Sequence, residues 1–460
     1  MLHVTDNPQQ SALARSPLPR PKEPGLVTAL RFGNDMFSAP MSYFEQYGDT
    51  LTMRLFGVPY VVTRDPLWIA DVLVKYHASF IKDSVTRGLG SLLGQGLLVS
   101  EGEPWRARRK AMQPHFQPTQ LEGLLKGFAE ETARETATWR TLQVVDLNAA
   151  TTRIALGIAL RSLFGATLAD IETFERSLRH ATDYFTGVAG TMITLPLWLP
   201  TPTNVRYQRA RRHLRSAVAQ LIQNAQAEDA AAAVGTPLGN LLAARSASTI
   251  TDEQLLDEAI TLLLAGHETS SATLTYTLGL IAAYPAVQSS IAEELARDGV
   301  PSSLRQLQQP SALRRALTES MRLYPASWAV GREVRTPIEI QGQLLAKGTQ
   351  ILVHQWAAHR HPHWFPNPSA FEPSRWSEDF TAGLPKCLYA PFGAGPRVCI
   401  GQHFALAELM VALGTVLSQF QLTAVSVFPP ALQASITTRP LASVTVRIEA
   451  RAGVGPSTCT

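Results

Sequence analysis

The chain has 460 residues, of which 45% are hydrophobic and 17% are charged. This composition indicates a globular protein with a large core, and the length alone favours two or three domains. A net charge of +4 without a long basic tract argues against nucleic acid as a partner. Cys387, Cys399 and Cys459 form no CxxC motif, which excludes a zinc ribbon and a disulfide framework and makes the cytoplasm the expected compartment.

Residues 1–40 are polar and rich in proline, which predicts an irregular lead-in without a signal peptide or a membrane span. The pattern over 51–63 predicts a β-hairpin with its bend at Gly57 and Pro59. Helical periodicity then dominates the chain, so the predicted fold class is mainly α with small β-sheets. The long helical patterns lie at 120–139, 149–163, 205–227 and 402–419, and the later strand patterns lie at 330–353 and 443–448.

Two segments interrupt the helical patterns. Residues 227–239 are predicted to connect two helices. The apolar, proline-rich segment 195–202 is interpreted as a packed loop. The alternatives are a mobile lip over an apolar pocket and a patch that touches a membrane surface.

A helix of unusual length is predicted from Thr251 to Tyr284. Thr251 and Gln254 have the spacing of a capping box, and Pro285 ends the pattern. At 1.5 Å per residue this helix would be roughly 50 Å long. A helix of that length would cross the whole molecule, which argues for one core.

The middle of this helix carries the sequence Ala265-Gly-His-Glu268-Thr269. Ala265 is small enough for a flat ligand to lie against the helix, and Glu268 supplies an acid. The Thr269 hydroxyl can bond to the carbonyl of Ala265 and open the helical turn there. The alternative is that these residues only set a kink in a core helix. A zinc-protease HExxH motif is excluded because position 271 is serine.

A glycine-rich segment from Phe392 to Gly401 precedes the last long helical pattern and contains Cys399. At the N-terminus of a helix, free N–H groups favour the thiolate form of a cysteine. The glycines allow a flat ligand to approach the backbone, and Arg397 could bind an acidic group on it. A nucleotide-binding loop is excluded because Val398 replaces the third glycine of GxGxxG. The alternative is a buried structural cysteine.

This segment matches FxxGxRxCxG in full, through Phe392, Gly395, Arg397, Cys399 and Gly401, and so resembles the cytochrome P450 monooxygenases. Further motifs typical of that family stand in the same order along the chain. They are the WxxxR motif of Trp105 and Arg109, the acid–threonine pair of Glu268 and Thr269, the ExxR motif of Glu319 and Arg322, and the FxPxR motif that ends at Arg375. Two departures are slight, because Ser270 and Trp376 stand where Thr and Phe are common.

The resemblance implies a haem b cofactor held between the long central helix and the cysteine loop, with Cys399 as the axial ligand of the iron. It implies that Phe392, Gly395, Gly401 and Ala265 lie beside the haem. It places the haem propionates on Trp105, Arg109, Arg332 and Arg397.

The resemblance also assigns roles to the remaining motif residues. Glu319, Arg322 and Arg375 would form a buried triad that is structural and not catalytic. Thr269 and Glu268 would deliver protons to dioxygen. The family fold replaces the expectation from length, so that 41–460 forms a single haem domain with an α-rich lobe and a smaller β-rich lobe.

The implied reaction inserts one oxygen atom of O2 into a C–H bond of a lipophilic substrate, such as a fatty acid, terpenoid, carotenoid or steroid. By the same resemblance, the pocket walls would come from 80–99, 184–202, 263–265, 328–330 and 441–442. The residues assigned to the substrate pocket are Leu264, Trp328, Ala329, Val330 and Leu441.

Electrons would come from NAD(P)H through a separate ferredoxin- or flavodoxin-type donor and its reductase. Arg106, Arg108 and Lys110 are either a solvated face or part of a basic docking patch for that donor. The alternating histidines His359, His361 and His363 suggest a metal site, but no acidic or cysteine cluster adjoins them, so we do not predict one.

Two rival functions stay open. The first is a haem-thiolate isomerase or peroxygenase that needs no reductase, and the second is a non-catalytic haem-binding sensor or carrier. The pair Glu268-Thr269 argues against both, because neither function needs a proton relay to dioxygen.

Overall fold

The structure is a computed structural model that describes residues 17–55, 57–166, 171–191, 195–227 and 236–451. Helices dominate the described part of the chain. In chain order they are α1 (Gly25–Asn34), α2 (Ser38–Tyr47), α3 (Pro66–Ala70), α4 (Ser84–Gly88), α5 (Gly90–Leu93), α6 (Gly102–Met112), α7 (Pro118–Leu121), α8 (Leu125–Thr136), α9 (Leu147–Ala159), α10 (Ile171–Thr191), α11 (Pro202–Ala227), α12 (Pro237–Ser246), α13 (Asp252–Ala283), α14 (Pro285–Asp298), α15 (Leu304–Gln308), α16 (Ala312–Leu323), α17 (Gln355–Ala358), α18 (Glu378–Gly383) and α19 (Gln402–Gln419).

The strands are short and form small sheets. They are β1 (Thr50–Leu55), β2 (Val58–Thr63), β3 (Phe80–Ile81), β4 (Val144–Asp146), β5 (Val330–Val334), β6 (Ile338–Ile340), β7 (Gln343–Leu345), β8 (Gln350–Val353), β9 (Phe420–Ala424), β10 (Leu432–Ala434), β11 (Thr438–Pro440) and β12 (Thr445–Ala450). The largest described sheet has the order β1-β2-β8-β5-β3, with β2 and β8 parallel and the other neighbours antiparallel. A second sheet has the order β4-β12-β9, and β6-β7 and β10-β11 form separate antiparallel pairs.

Helix α13 lies among the helices that build the largest core. Thr251 and Gln254 make both hydrogen bonds of the predicted capping box at its N-terminus. Most of its side chains are buried, because α9, α16 and α19 pack around it. The apolar faces of these helices form the largest of three cores in the described residues, so the single core that the long helix predicts is not found there.

Two smaller cores contain the strands of the largest described sheet. One core packs the large sheet and the β6-β7 hairpin against the segment around Phe365 and Trp376. The other packs α1 and α2 against the outer hairpin β1-β2. The predicted fold class, mainly α with small β-sheets, is confirmed.

The structure corrects several predicted boundaries. Residues 1–40 were predicted to be irregular, but α1 begins at Gly25 and α2 begins at Ser38. Both helices bury an apolar face against β1, which the local proline content does not reveal. The helical pattern at 402–419 is confirmed without change, whereas α8 is shorter than its pattern. Residues 1–16, Cys459 and 228–235 of the predicted connector lie outside the described residues.

The segment 195–202 is a loop that is held by hydrogen bonds from the helix that follows it. Asn204 donates hydrogen bonds to the carbonyls of Pro196 and Leu199, and Leu197 packs on the main core. Trp198, in contrast, is 80% exposed. The loop is therefore both packed and partly apolar on its outer side. None of the described helices is long and apolar enough to cross a bilayer.

Candidate haem site

The loop that carries Cys399 is shaped by its backbone. Gly393 and Gly395 adopt positive φ angles, and the Cys399 N–H donates to the carbonyl of Phe392 at 2.9 Å. A side chain at position 395 would meet the carbonyl oxygen of Leu73 at 2.0 Å, so only glycine allows this close packing. Gly395 is therefore needed for packing against Leu73, and it is not among the residues that line the cavity, so its place beside the cofactor stays a prediction.

Cys399 lies just before α19 begins, and its surface is exposed to a large cavity. Burial raises the pKa of this thiol above its ordinary value, although the Gly401 N–H and the charge of Arg109 act in the opposite direction. The N–H at the start of the helix thus favours the thiolate as expected, but the effect of burial outweighs it. A bound metal ion would supply what the helix does not, because coordination removes the thiol proton.

The opposite wall of the cavity is the middle of α13. Ala265 is exposed to the cavity, and Thr269 also lines it. The Thr269 hydroxyl donates to the Ala265 carbonyl at 2.9 Å, as the sequence predicted. The helix remains continuous through this turn, so the predicted opening of the backbone is not seen.

Glu268 is held by partners that the sequence did not indicate. Its Oε1 accepts hydrogen bonds from Thr437 at 2.8 Å and from the guanidinium of Arg439 at 2.7 Å. The carboxylate is therefore tied to the β10-β11 region instead of standing free, and both Glu268 and Thr269 line the cavity.

One edge of the cavity is lined by cations. Arg109, Arg332 and Arg397 all lie there, and Arg397 stacks on the ring of Trp105 at 3.8 Å. Sequence reasoning missed a fourth cation, Lys82, which follows β3 and carries no motif.

The electrostatics of this edge favour an anionic ligand. Burial and the neighbouring arginines lower the pKa of Lys82 to about 7, and burial and Arg397 lower that of Arg332 to about 10. Arg397 is paired with Glu101, and its other hydrogen bond reaches the carbonyl of Ser100. Within the described residues neither Lys82 nor Arg332 has a carboxylate at ion-pair distance. Buried charges without partners are costly, so this edge is suited to bind carboxylate groups.

A second buried acid, Glu408, was also missed by sequence reasoning. It lies on α19, lines the cavity and is 1% exposed. Its Oε2 accepts a hydrogen bond from the hydroxyl of Ser270 at 2.9 Å, whereas its Oε1 has no hydrogen-bond partner among the described residues. Burial raises the pKa of Glu408 to about 8, so this group carries a proton at neutral pH.

The predicted triad assembles below the cavity. Glu319 and Arg322 are fully buried and form two parallel hydrogen bonds of 2.8 Å, and Arg375 adds a third at 2.9 Å. Trp376 donates its indole N–H to Glu319 at 2.8 Å. Arg322 also donates to three backbone carbonyls, those of His359, Pro368 and Ala370. Glu319 thus ties α16 to the segment that leads to the cysteine loop.

The cavity has a volume of about 540 Å³, in the range of sites for small molecules. Leu264, Trp328, Ala329 and Val330 line it as predicted. The prediction for Leu441 is wrong, because that side chain is 63% exposed on the surface. The cavity wall is formed instead by residues 435–437, because the turn between β10 and β11 projects inward. Other apolar contributors are Phe32, Leu89, Leu92, Leu93, Leu97, Leu98, Leu178, Phe185 and Leu262.

The residues around the cavity fit an iron porphyrin that bears carboxylates. A thiol on one wall supplies the soft ligand, and Ala265 on the facing wall leaves room for a flat ring. The partly unpaired cations at the edge match the two propionates in charge. This fit depends on Cys399, Trp105, Arg109, Arg332 and Arg397, which the sequence had singled out, and on Lys82, which it had not.

The alternating histidines serve unrelated contacts. His359 Nε2 accepts from the Ala390 N–H at 3.1 Å, and His361 pairs with Asp49 at 3.0 Å. Among the described residues no group of three His, Cys, Asp or Glu side chains is arranged to hold a metal ion.

Comparison with known proteins agrees with this geometry. A family model for cytochrome P450 matches residues 17–443. The cyclooctat-9-en-7-ol 5-monooxygenase of Streptomyces melanosporofaciens is 31% identical over 412 residues, which are 87% of this chain and 88% of that protein. The pentalenene oxygenase of Streptomyces avermitilis is 29% identical over 415 residues, which are 87% of this chain and 90% of that protein.

Solved structures share the fold. The haem domain of cytochrome P450DA superimposes with a TM-score of 0.82 at 23% identity, over 95% of this chain and 98% of the other. The retinoic acid-bound cyanobacterial CYP120A1 gives a TM-score of 0.81 at 24% identity, over 92% and 96% of the two chains. On the family model and the first of these relatives, the chain belongs to the cytochrome P450 family of haem-dependent monooxygenases.

Proposed function

We propose that this protein hydroxylates a lipophilic substrate of the terpenoid class. The observation that carries the proposal is the cavity itself, in which leucine, phenylalanine and tryptophan side chains surround the space between Cys399 and α13. Two relatives are named as oxygenases of cyclooctat-9-en-7-ol and pentalenene, which are terpenoids. Fatty acids, carotenoids and steroids share the apolar character but have no such support.

Haem, when bound, would supply the iron at which dioxygen is reduced and the substrate is oxidised. Cys399 would hold its iron through the thiolate sulfur. Lys82, Arg109, Arg332 and Arg397 would bind its propionates, and Trp105 would orient Arg397 by stacking. These groups lie on separate elements, so the fold itself brings them to the two walls and the edge of one cavity.

Two pairs of an acid and a hydroxyl would hold the protons that the reaction consumes, one pair on α13 and one between α13 and α19. Thr269 lies beside Glu268, whose carboxylate is positioned by Arg439. Ser270 donates to Glu408, which is buried and protonated at neutral pH. We assign proton delivery to Thr269 and Glu268, and we infer that Glu408 is a proton store within reach of the same helical turn.

The electrons would come from NAD(P)H through a ferredoxin- or flavodoxin-type protein and its reductase. Arg106 and Lys110 on α6 are exposed and could attract an acidic donor. Arg108 is not part of such a patch, because its side chain is only 11% exposed and pairs with Glu258. The proposed docking patch for the electron donor therefore contains Arg106 and Lys110 but not Arg108.

The substrate proposal is tested by turnover with isotopically labelled O2. The holoprotein, a ferredoxin, its reductase and NADPH are incubated with cyclic terpenes, and the products are analysed by mass spectrometry. We expect an alcohol that carries one labelled oxygen atom. Product formed with peroxide alone would favour the peroxygenase, and spectral shifts only with polar, charged compounds would contradict the terpenoid proposal. No product with any donor would favour the sensor or carrier.

Two variants test the assigned residues. Cys399→Ser should abolish the strongly red-shifted spectrum of the reduced protein with CO. Thr269→Ala should retain haem but release roughly tenfold more of its electrons as peroxide. Thr275→Ala is the matched control, because Thr275 makes the same bond to a carbonyl of α13 at 3.0 Å but lies away from the cavity. Equal peroxide release from the two threonine variants would remove Thr269 from proton delivery.

A further inference from the structure

The segment from Leu89 to Val99 forms one wall of the cavity and connects α4 to α6. It contains the short helix α5 and then an irregular stretch. Leu89, Leu92, Leu93, Leu97 and Leu98 all line the cavity. Movement of this segment would therefore change the access of an apolar substrate.

Two adjacent carboxylates on α13 hold the irregular stretch in place. Asp257 accepts a hydrogen bond from the Gln95 N–H at 2.8 Å, and Glu258 accepts one from the Leu97 N–H at 3.0 Å. Both acids are 2% exposed. Buried carboxylates that accept backbone N–H groups form stronger hydrogen bonds than neutral acceptors do.

Each carboxylate also binds an arginine from a different helix. Arg215 of α11 lies 2.8 Å from Asp257, and Arg108 of α6 lies 3.3 Å from Glu258. Arg108 further donates to the carbonyl of Gln95. The two acids thus connect the 89–99 segment, α6 and α11 to the central helix.

The backbone is shaped for this contact. Gly94 has a φ of +57°, and a Cβ there would lie 1.9 Å from the Asp257 carboxylate. A Cβ at Gly96 would lie 1.9 Å from the hydroxyl of Thr261. Only glycine at these two positions lets the stretch lie so close to α13.

The Asp257 and Glu258 carboxylates differ in how many of their oxygen atoms accept a hydrogen bond. Glu258 Oε1 lies within ion-pair distance of Arg108 but makes no aligned hydrogen bond, and burial raises the pKa of Glu258 to about 7. The Asp257 carboxylate, in contrast, has aligned hydrogen bonds on both oxygens. The contact that Glu258 makes with the 89–99 segment is therefore weaker than the contact that Asp257 makes.

We propose that Asp257 and Glu258 form a latch that closes the 89–99 segment over the cavity, and that release of this latch admits the substrate. The proposal rests on the proposed function only in that a large lipophilic molecule must enter the cavity. The latch residues touch neither the cysteine loop nor the propionate edge, so their role is to position the segment.

The experiment compares the holoprotein with Asp257→Asn, Glu258→Gln and the double variant. Hydrogen exchange of the amides at 94–99 reports opening of the segment, and the rate at which phenylimidazole shifts the haem spectrum reports entry into the cavity. We expect both rates to rise roughly tenfold or more in the double variant, because hydrogen bonds to charged groups are replaced by neutral ones. Glu258→Gln should have the smaller effect of the two single changes.

Asp252→Asn is the matched control, since Asp252 lies on the first turn of α13 and pairs with the exposed Arg245. Unchanged exchange and unchanged phenylimidazole entry in a folded double variant would overturn the proposal. If the double variant does not fold, Arg215→Met removes one partner of Asp257 at a partly exposed position and should raise both rates. Equal rates in that variant and the native protein would equally overturn it. Neither measurement requires turnover, so a wrong substrate proposal would leave both results interpretable.

Discussion

Two buried glutamates, Glu319 and Glu408, have opposite chemistry. Glu319 contacts two arginines and the indole of Trp376. Burial acts to raise its pKa, but the hydrogen bond and charge of Arg322, the Glu372 N–H and the charge of Arg375 hold that pKa below the ordinary value. Among the described residues Glu408, which lines the cavity, accepts a hydrogen bond only from the hydroxyl of Ser270, and burial raises its pKa to about 8. The difference teaches that partners, and not depth, decide whether a buried acid is charged. The first acid is suited to hold elements together, and the second is suited to hold a proton.

The largest effect should follow from removal of the charge at the triad. Glu319→Gln would leave Arg322 as a buried cation without its carboxylate and would take from Arg375 one of its two carboxylate partners, so we expect a loss of about 3–5 kcal/mol in the free energy of unfolding. Urea unfolding followed by circular dichroism measures this loss. Glu372→Gln is the control, because Glu372 pairs with Arg375 at the surface and is 40% exposed. A loss equal to that of the control would show that the triad is not a structural unit.

A smaller effect should follow from Trp376→Phe. This change keeps an aromatic ring in the second core but removes the N–H that donates to Glu319. Loss of one hydrogen bond to a charged group should lower the free energy of unfolding by about 1.5–3 kcal/mol. The additional loss should largely disappear when the change is made in the Glu319→Gln background, and a double-mutant cycle measures this coupling. If the losses in the free energy of unfolding from the two changes are additive, Trp376 contributes through packing alone and not through its hydrogen bond to Glu319.

The smallest effect at neutral pH should follow from Glu408→Gln, because the native acid is already uncharged there. The variant should differ from the native protein mainly in its response to pH. The folded protein retains the Glu408 proton up to about pH 8, whereas the unfolded chain releases it near 4.5, so native stability should fall as pH rises between these values.

The slope of that decrease should be at most about 1.4 kcal/mol per pH unit, and Glu408→Gln should remove it. Urea unfolding at a series of pH values between 5 and 8 measures both slopes, with an expected accuracy of roughly 0.5 kcal/mol. Parallel curves for the two proteins would show that Glu408 is charged in the fold and would place it in the same class as Glu319.

The same contrast between Glu319 and Glu408 separates the features that could be predicted from the sequence from those that could not. The members of the triad could be named in advance because the chain resembles the family in its ExxR and FxPxR motifs, whereas the i,i+3 spacing of Glu319 and Arg322 by itself is more typical of a surface ion pair. The role of Trp376 in the triad could not be predicted, because an indole N–H needs a partner that only folding brings near. Glu408 and Lys82 carry no motif at all, and their importance comes from the cavity that other elements build around them.

The wrong predictions have the same origin. Leu441 was placed in the pocket by its position along the chain, but the pairing of β10 with β11 directs residues 435–437 inward instead. Arg108 was placed on the surface with its basic neighbours, yet it turns inward to Glu258. Arg108 and Glu258 are distant in sequence, so local patterns contain no information about their contact. Strands β10 and β11 are neighbours in the chain, but only the packing of their hairpin on the rest of the molecule decides which of its residues face the cavity.

The sequence by itself determined the helical fold class, the capped central helix, the cysteine loop and the identity of the family. These depend on hydrogen bonds and periodicities within a few residues of each other, which the order of side chains specifies directly. Tertiary structure alone decided which acids are charged, which cations face the cavity and what holds the 89–99 segment closed. Those properties depend on burial and on partners from other elements, and both exist only after the chain has packed.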